Sequence, residues 1–285
     1  MIQNNYLVIL AGSPRGGEKA WKSMYKHVLE PLSADLAIVT GKKYLNNQSF
    51  IKKAKFHWVF DEPESWRDYF QDQEIFELFD IGKNTGLLES GIIQIAIKDY
   101  LKKNYLSIVK SYDFIIFARF DQYYIKRHNF AIGNNIIIPE GEDYFGICDR
   151  HITLPSKYIE NYLSILEYFI VNHKSLSKVK YLNCETLNKK HLESFLNLEQ
   201  IHRSKRFQFT VAKKTDLTNW RVAKIKILFF RDIKLKYPDE FIISIKNYIN
   251  SISFKNYKTI TFSIIILLIN YYYLLTRTAL GKLKN

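Results

Sequence analysis

Cysteine is nearly absent: Cys148 and Cys184 are the only two in 285 residues. Two thiols cannot build a disulfide framework, and neither belongs to a CxxC pair. A thiolate zinc site is therefore not expected, and a reducing, cytosolic setting fits. The familiar chemical motifs are also missing. There is no GxxxxGK[ST] loop, since Lys19 stands between Glu18 and Ala20, and no GxGxxG. No GxSxG elbow and no HExxH occurs, and His57, His173, His191 and His202 are scattered without ligand spacing. No zinc finger, RNP motif or KH-type loop favours nucleic acid. The opening MIQNNYLVILAGS has no basic leader and no small-residue cleavage site, so no signal peptide is expected. Acidic residues are in deficit too, 28 against 42 Lys and Arg, a net charge of +14.

What is present supports a packed core. Apolar residues make up 47% and charged residues 25%, which argues against wholesale disorder. The positive charge is uneven. Residues 221–285 hold 12 Lys and Arg against 3 Asp and Glu, a net +9, leaving +5 for residues 1–220. A basic surface of this kind suits an anionic membrane or phosphorylated ligands.

Hydrophobic patterning predicts alternating strands and helices through about the first 210 residues. Tyr6–Ala11 reads as a buried strand ending at the turn GSPRGG, and Glu18–Leu32 as an amphipathic helix. Strands are expected at 34–39 and 56–60, and a helix starts from Ser65 as N-cap. Residues 71–87 are ambiguous. A long helix is expected over 88–109, with Asn104 a candidate break. YDFIIFARFDQYY, residues 112–124, is the strongest strand signal. Further strands are expected at 136–138, 144–154 and 207–211, with helices at 157–172 and 185–195. This alternation predicts a layered α/β domain.

Four places carry candidate chemistry. Gly12 and Arg15 lie in the Gly/Pro turn between a strand and a helix, where backbone amides and a guanidinium can meet a phosphate. An ordinary structural turn is an equal reading of the spacing alone. Arg119 and Asp121 end the best strand, where α/β sheets place ligands, and strand alternation puts both on one face. A carboxylate there can hold Mg²⁺ or Mn²⁺ bridging a diphosphate. Asp149, at the end of an expected strand, can act as general base on a hydroxyl, with His151 ranked below it. Glu185 opens a helix in NCETL and reads as complementing the helix N-terminal charge.

Together these segments resemble a family of glycosyltransferases from bacterial surface-polysaccharide clusters and large DNA viruses. LAGSPRGGEKAWKSMYKHVLEPLSADLAIVTG resembles the family's opening, and DEPESWRDYF its acidic turn. YDFIIFARFDQYY resembles a strand in which R-x-D stands for the D-x-D of GT-A enzymes. IIIPEGEDYFGICDRH, NCETLNKKHL and TDLTNW resemble its later elements. The resemblance spans residues 6–220. It implies a GT-A-like, Rossmann-related mixed sheet flanked by helices, a nucleotide-sugar donor and a divalent metal. It would put Gly12 and Arg15 near the nucleotide, Asp121 on the metal and Asp149 near the acceptor. Arg119 stands where the D-x-D pair has its first Asp, a departure from that pattern at one of the two metal ligands.

The expected division is a catalytic domain at 1–220 and a basic, partly apolar helical extension at 221–285. Residues 259–276, TITFSIIILLINYYYLLT, form an uncharged run of 18 residues flanked by lysines and Arg277. That is just inside the roughly 17–25 residues that span a bilayer. Attachment at the inner face of a membrane is expected slightly over packing on the domain, with a glycan or lipid-linked acceptor. Two alternatives stand beside this reading. GSPRGGEKAW is close to a sulfotransferase nucleotide loop, although Gly16 and Glu18-Lys19 stand where its hydroxyl residues belong. A non-enzymatic protein binding at a membrane surface is the other.

Overall fold

The computed structural model describes residues 4–46, 48–70, 91–128, 133–213, 233–252 and 262–282. Residues 71–87, most of the basic stretch 220–236, and TDLTNW fall outside the described residues. In chain order the main elements are β1 (Tyr6–Ala11), α1 (Gly17–Met24), β2 (Asp35–Gly41), β3 (Phe56–Phe60), α2 (Ile92–Lys110), β4 (Phe114–Arg119) and β5 (Gln122–Tyr124). They continue with β6 (Ile136–Pro139), β7 (His151–Pro155), α3 (Ile159–Leu163), α4 (Ile165–Leu176), α5 (Cys184–Glu193), β8 (Ile201–Ser204), β9 (Gln208–Lys213), β10 (Ile233–Leu235), α6 (Pro238–Asn250) and α7 (Phe262–Lys282). The expected α/β class holds, and most expected elements appear within a few residues of their predicted bounds.

The chain divides into two compact units. The first gathers residues 1–13, 32–119 and 130–204. Its seven-stranded sheet runs in the order β3-β2-β1-β4-β7-β6-β8. β3, β2, β1 and β4 are mutually parallel, while β7 is antiparallel to both β4 and β6. The central strands are unbroken apolar runs, as strands buried on both faces require. Leu7, Ile9, Ile115, Phe117, Ile152 and Leu154 join Ile97, Leu101, Tyr162 and Leu192 in one hydrophobic cluster, so α2, α3 and α5 pack on that face. α2 is continuous past Asn104, whose amide donates back to the Tyr100 carbonyl at 2.8 Å. Chain order reverses between β1 and β4, because β2 and β3 lie on one side of β1 and β4 on the other. Such a switch point leaves a crevice at the strands' carboxyl ends, which here are Ala11 and Arg119, partners in register.

The second unit gathers residues 14–31, 120–129 and 205–285. Its sheet is antiparallel, in the order β10-β9-β5. α6 packs on β9, with Phe209 and Phe241 edge to face at 5.0 Å. Beneath it Arg206 and Glu240, 1% and 0% exposed at their side chains, pair at 3.2 Å. Glu240 also accepts from the Thr210 amide at 2.6 Å. α7 packs on α6 and buries Leu267, Asn270 and Leu274, while Ile265, Ile269, Tyr272 and Tyr273 are exposed. No helix among the described residues is long and apolar enough to cross a membrane.

Two expectations need correction. The segment 112–124 is not one strand: a turn at Phe120 and Asp121 separates β4 from β5, which belong to different sheets. Arg119 and Asp121 therefore do not share a strand face. Residues 144–150 are not a strand either; only His151–Pro155 is. Glu142, Tyr144 and Phe145 have φ of 58°, 42° and 70°, a left-handed backbone that breaks any extended run.

The second unit's packing generates a prediction. A chain ending at residue 220 loses β10, α6 and Glu240, leaving the Arg206 charge without that partner. Removing one partner of a buried pair costs about 3–5 kcal/mol. The 1–220 chain should aggregate or melt well below the full chain, whereas a chain ending at 252 should keep most of its thermal midpoint. Differential scanning calorimetry of the three lengths checks this.

Candidate functional site

The site is assembled in the first unit from the ends of β1 and β4, the helix α2 and the loop before β7. A small cavity of about 10 Å³ lies there, lined by Ala11, Lys98, Phe117, Arg119, Asp149 and Tyr162 among others. That is room for about one water or one oxygen atom. Alternation along β4 turns Arg119 to the same face as Ile115 and Phe117, toward α2. Gln94 and Lys98 stand one turn apart on α2 and both line the cavity.

Asp149 is placed by its loop, and the loop is clamped to the start of α5. The Ile147 amide donates to the Glu185 carbonyl at 2.9 Å, and the Asn188 amide donates to the Ile147 carbonyl at 3.2 Å. Asn183 caps α5 with a capping box and also donates to the Tyr144 carbonyl at 3.0 Å. Gly146 is required by contact: a Cβ there would stand 2.0 Å from the Glu185 carbonyl oxygen. Asp143 holds the other side, accepting from the Cys148 amide at 3.0 Å and from Arg203 at 2.6 Å.

Three consecutive residues then do three different things. Asp149 is partly exposed and lines the cavity. Arg150 turns inward to Glu185, its Nη1 3.2 Å from Oε1, and donates through Nη2 to the Glu142 carbonyl. His151 is buried at the start of β7, opposite Ala118 in register. At 2% exposure His151 is out of reach of a ligand without local opening.

Electrostatics distinguish two residues, Glu185, which the sequence offered only as a helix-terminal charge, and Lys98, which sequence reasoning passed over. Burial, and next the Asp149 carboxylate, pushes Glu185 up to about 7, against the opposing pull of Arg150 and Arg119. A carboxyl group near 7 can exchange a proton at neutral pH. Lys98, 5% exposed, is pushed down to about 8 by burial, with Asp149 and Cys184 opposing. Its ammonium makes no hydrogen bond or ion pair among the described residues. It sits 4.0 Å from the centroid of the Tyr162 ring. Lys98 in turn contributes to lowering His191 to about 3, after burial. A signal for Lys98 existed: it stands three residues after Ile95 and three before Leu101, where the apolar period of the helix expects another apolar residue. Glu185 had no such signal, because a first-turn acid is ordinary.

The remaining sequence candidates divide between the units. Gly12, with φ of 101°, belongs to the first unit and donates its amide to the Val39 carbonyl at 2.9 Å. Nothing lies within 4 Å of a Cβ built there, so its backbone conformation, not space, calls for glycine. Arg15 and Asp121 belong to the second unit. Within that unit Gly16 packs on the Phe120–Asp121 turn: a Cβ would lie 3.0 Å from the Asp121 Cα. Asp121 is only 2% exposed, and its carbonyl accepts from the Val211 amide at 2.8 Å. It is a buried turn residue, not the open strand end expected. Among the described residues no group of three or more His, Cys, Asp or Glu is arranged to hold a metal ion.

The Lys98 burial is a cost the fold carries, and it can be measured. The gap between 10.5 and about 8 corresponds to about 3 kcal/mol, at 1.36 kcal/mol per pH unit. Below pH 8 both folded and unfolded states hold the proton, and the full cost is present. Between 8 and 10.5 the unfolded chain holds a proton that the native one lacks, so stability rises with pH. Lys98→Met should therefore melt no lower than wild type at pH 7, and its advantage should shrink above pH 8. Urea unfolding at pH 7 and pH 9.5 checks both statements. Neither a family model nor a curated protein sequence matches this chain, so its function is read from this geometry.

Proposed function

We propose that the chain is a GT-A-like glycosyltransferase, moving a sugar from a nucleotide-sugar donor to a glycan or lipid-linked acceptor. The observation that carries this reading is a cavity at the β1/β4 switch point lined by Lys98, Arg119 and Asp149, with the buried Glu185 carboxyl group held by Arg150, the residue after Asp149. Open α/β sheets bind their ligands at that place. Transfer needs a base for the acceptor hydroxyl and positive charge for the leaving diphosphate, and both kinds of group line this end of the sheet.

In this reading Glu185 takes the proton of the acceptor hydroxyl as its oxygen bonds to the anomeric carbon. The bond from that carbon to the diphosphate breaks, and the electron pair leaves with the phosphate oxygen. Asp149 keeps Glu185 basic and faces the acceptor, and Arg150 orients the Glu185 carboxylate at 3.2 Å. His151 stays behind Asp149 as a buried positioning group. Gly12 and Arg119 serve the donor side. A divalent metal bound with the donor, Mn²⁺ or Mg²⁺, would supply Lewis-acid neutralisation of the diphosphate.

The loop that carries Asp149 also offers an acceptor platform. Phe145 is 79% exposed and stacks on the exposed Tyr181 at 5.4 Å, with Tyr144 beside it. Exposed aromatics held by a left-handed backbone are costly unless something covers them, and a sugar ring's apolar face suits them. At the other end of the chain, the exposed Ile265, Ile269, Tyr272 and Tyr273 on α7, with the net +9 of residues 221–285, favour an interfacial helix on an anionic membrane. Such contact would keep the enzyme peripheral to the inner face, close to a lipid-linked acceptor.

Glu185→Gln should stay folded and lose at least about tenfold in kcat, equivalent to about 1.4 kcal/mol of transition-state stabilisation. Release of nucleoside diphosphate from a panel of sugar nucleotides, with and without Mn²⁺, measures it. Stabilisation by 3′-phosphoadenosine-5′-phosphosulfate and by no sugar nucleotide would replace this reading with the sulfotransferase. Full activity without Mn²⁺ removes the cofactor and leaves the transferase. For the tail, the full chain should sediment with anionic vesicles and the 1–252 chain should not.

A further inference from the structure

Lys98 takes no part in the proton transfer above, yet its side chain is buried at the site, 5% exposed. A buried ammonium is ordinarily matched by a carboxylate within ion-pair distance. Lys98 has none among the described residues, although Asp149 lines the same cavity. Tyr162 adds a second incomplete group. Its side chain is fully buried, it lines the cavity, and its hydroxyl has no hydrogen-bond partner among the described residues.

The cavity they share holds about one oxygen atom, at about 10 Å³. Its charged lining is Lys98, Arg119 and Asp149, two cations against one carboxylate. Gln94, one turn before Lys98, adds an amide. We propose that Lys98 anchors an oxyanion subsite at the carboxyl ends of β1 and β4, which takes one phosphoryl oxygen of a phosphate or diphosphate ester. The ammonium and the Tyr162 hydroxyl would both donate to that oxygen, and Arg119 would meet the outer oxygens of the same group. Asp149 opposes the anion but leaves the lining net positive. A water bridging Lys98 to Asp149 is the competing occupant, and it would make Lys98 indifferent to anions. This inference deepens the transferase reading and rests on it only for naming the ester as a sugar nucleotide.

The test is a titration of the full chain with inorganic pyrophosphate and, separately, orthophosphate, by calorimetry at pH 7. Wild type, Lys98→Met, Lys98→Arg and Tyr162→Phe are compared, with circular dichroism to verify folding. Pyrophosphate should bind wild type and bind folded Lys98→Met at least tenfold more weakly. Lys98→Arg should retain part of the affinity, and Tyr162→Phe should lie between wild type and Lys98→Met. Equal binding by wild type and Lys98→Met, or binding by neither, overturns the subsite. Should Lys98→Met not fold, loss of pyrophosphate affinity in Tyr162→Phe decides in its place, and unchanged affinity there overturns the subsite. A uridine- or guanosine-diphosphate sugar then separates the two claims. Pyrophosphate binding through Lys98 without any sugar-nucleotide binding keeps the subsite and ends the transferase reading. Sugar-nucleotide binding that ignores Lys98→Met does the reverse.

Discussion

The candidate site depends on the contact between Gly146 and the backbone of Glu185. A single methyl group at 146 would fall 2.0 Å from the Glu185 carbonyl oxygen and 2.3 Å from the Thr186 nitrogen. That closeness lets the Ile147 amide reach the Glu185 carbonyl, and it fixes the loop on the first turn of α5. Asp149 and Arg150 follow within four residues, so they inherit their positions from it. The left-handed residues Glu142, Tyr144 and Phe145 fit the same need, because a loop bent this sharply cannot stay extended. Glu185 is thus set between a guanidinium and a carboxylate by backbone contacts, not by the reach of its own side chain.

Burial dominates the electrostatics that result. It is the largest cause for Glu185 and for Lys98, moving the two groups in opposite directions toward neutrality. Asp149 acts on both: it raises Glu185 and supports the charge on Lys98. Groups whose ionisation is pushed toward working pH in a crevice are a common mark of functional sites, and they lower stability in return. The Arg206–Glu240 pair in the second unit is the contrasting case. It is equally buried, but each charge has its partner, and Glu240 also receives the Thr210 amide.

Much of the fold could be read from the sequence because it is written in apolar runs. YLVILA, FHWVF and IIIP are strands with bounds close to those expected, and GSPRGG is the turn that follows β1. The 112–124 segment misled for a physical reason. Alternation continues through Arg119-Phe120-Asp121, and nothing local reveals that the chain turns there to join another sheet. Asp121 looked like an open strand end and is a buried turn residue. At the site, Arg119 ends β4 as expected, whereas Asp149 lies in the loop before β7 and not at a strand end, and the structure brings both to one cavity. Lys98 was not singled out and Glu185 was read only as a helix-terminal charge, since their importance lies in what surrounds them. Burial of a lysine shows in sequence only as a broken apolar period. The contact that buries Glu185 joins residues about forty positions apart.

The central claim is that Asp149 and burial together hold Glu185 near neutrality. Carbon NMR of glutamate-labelled protein, with Glu185→Gln assigning the resonance, titrates that carboxyl directly. A midpoint near 7 is expected in wild type and a clearly lower one in Asp149→Asn. A wild-type midpoint at the ordinary glutamate value of about 4.3, unchanged in Asp149→Asn, would contradict it.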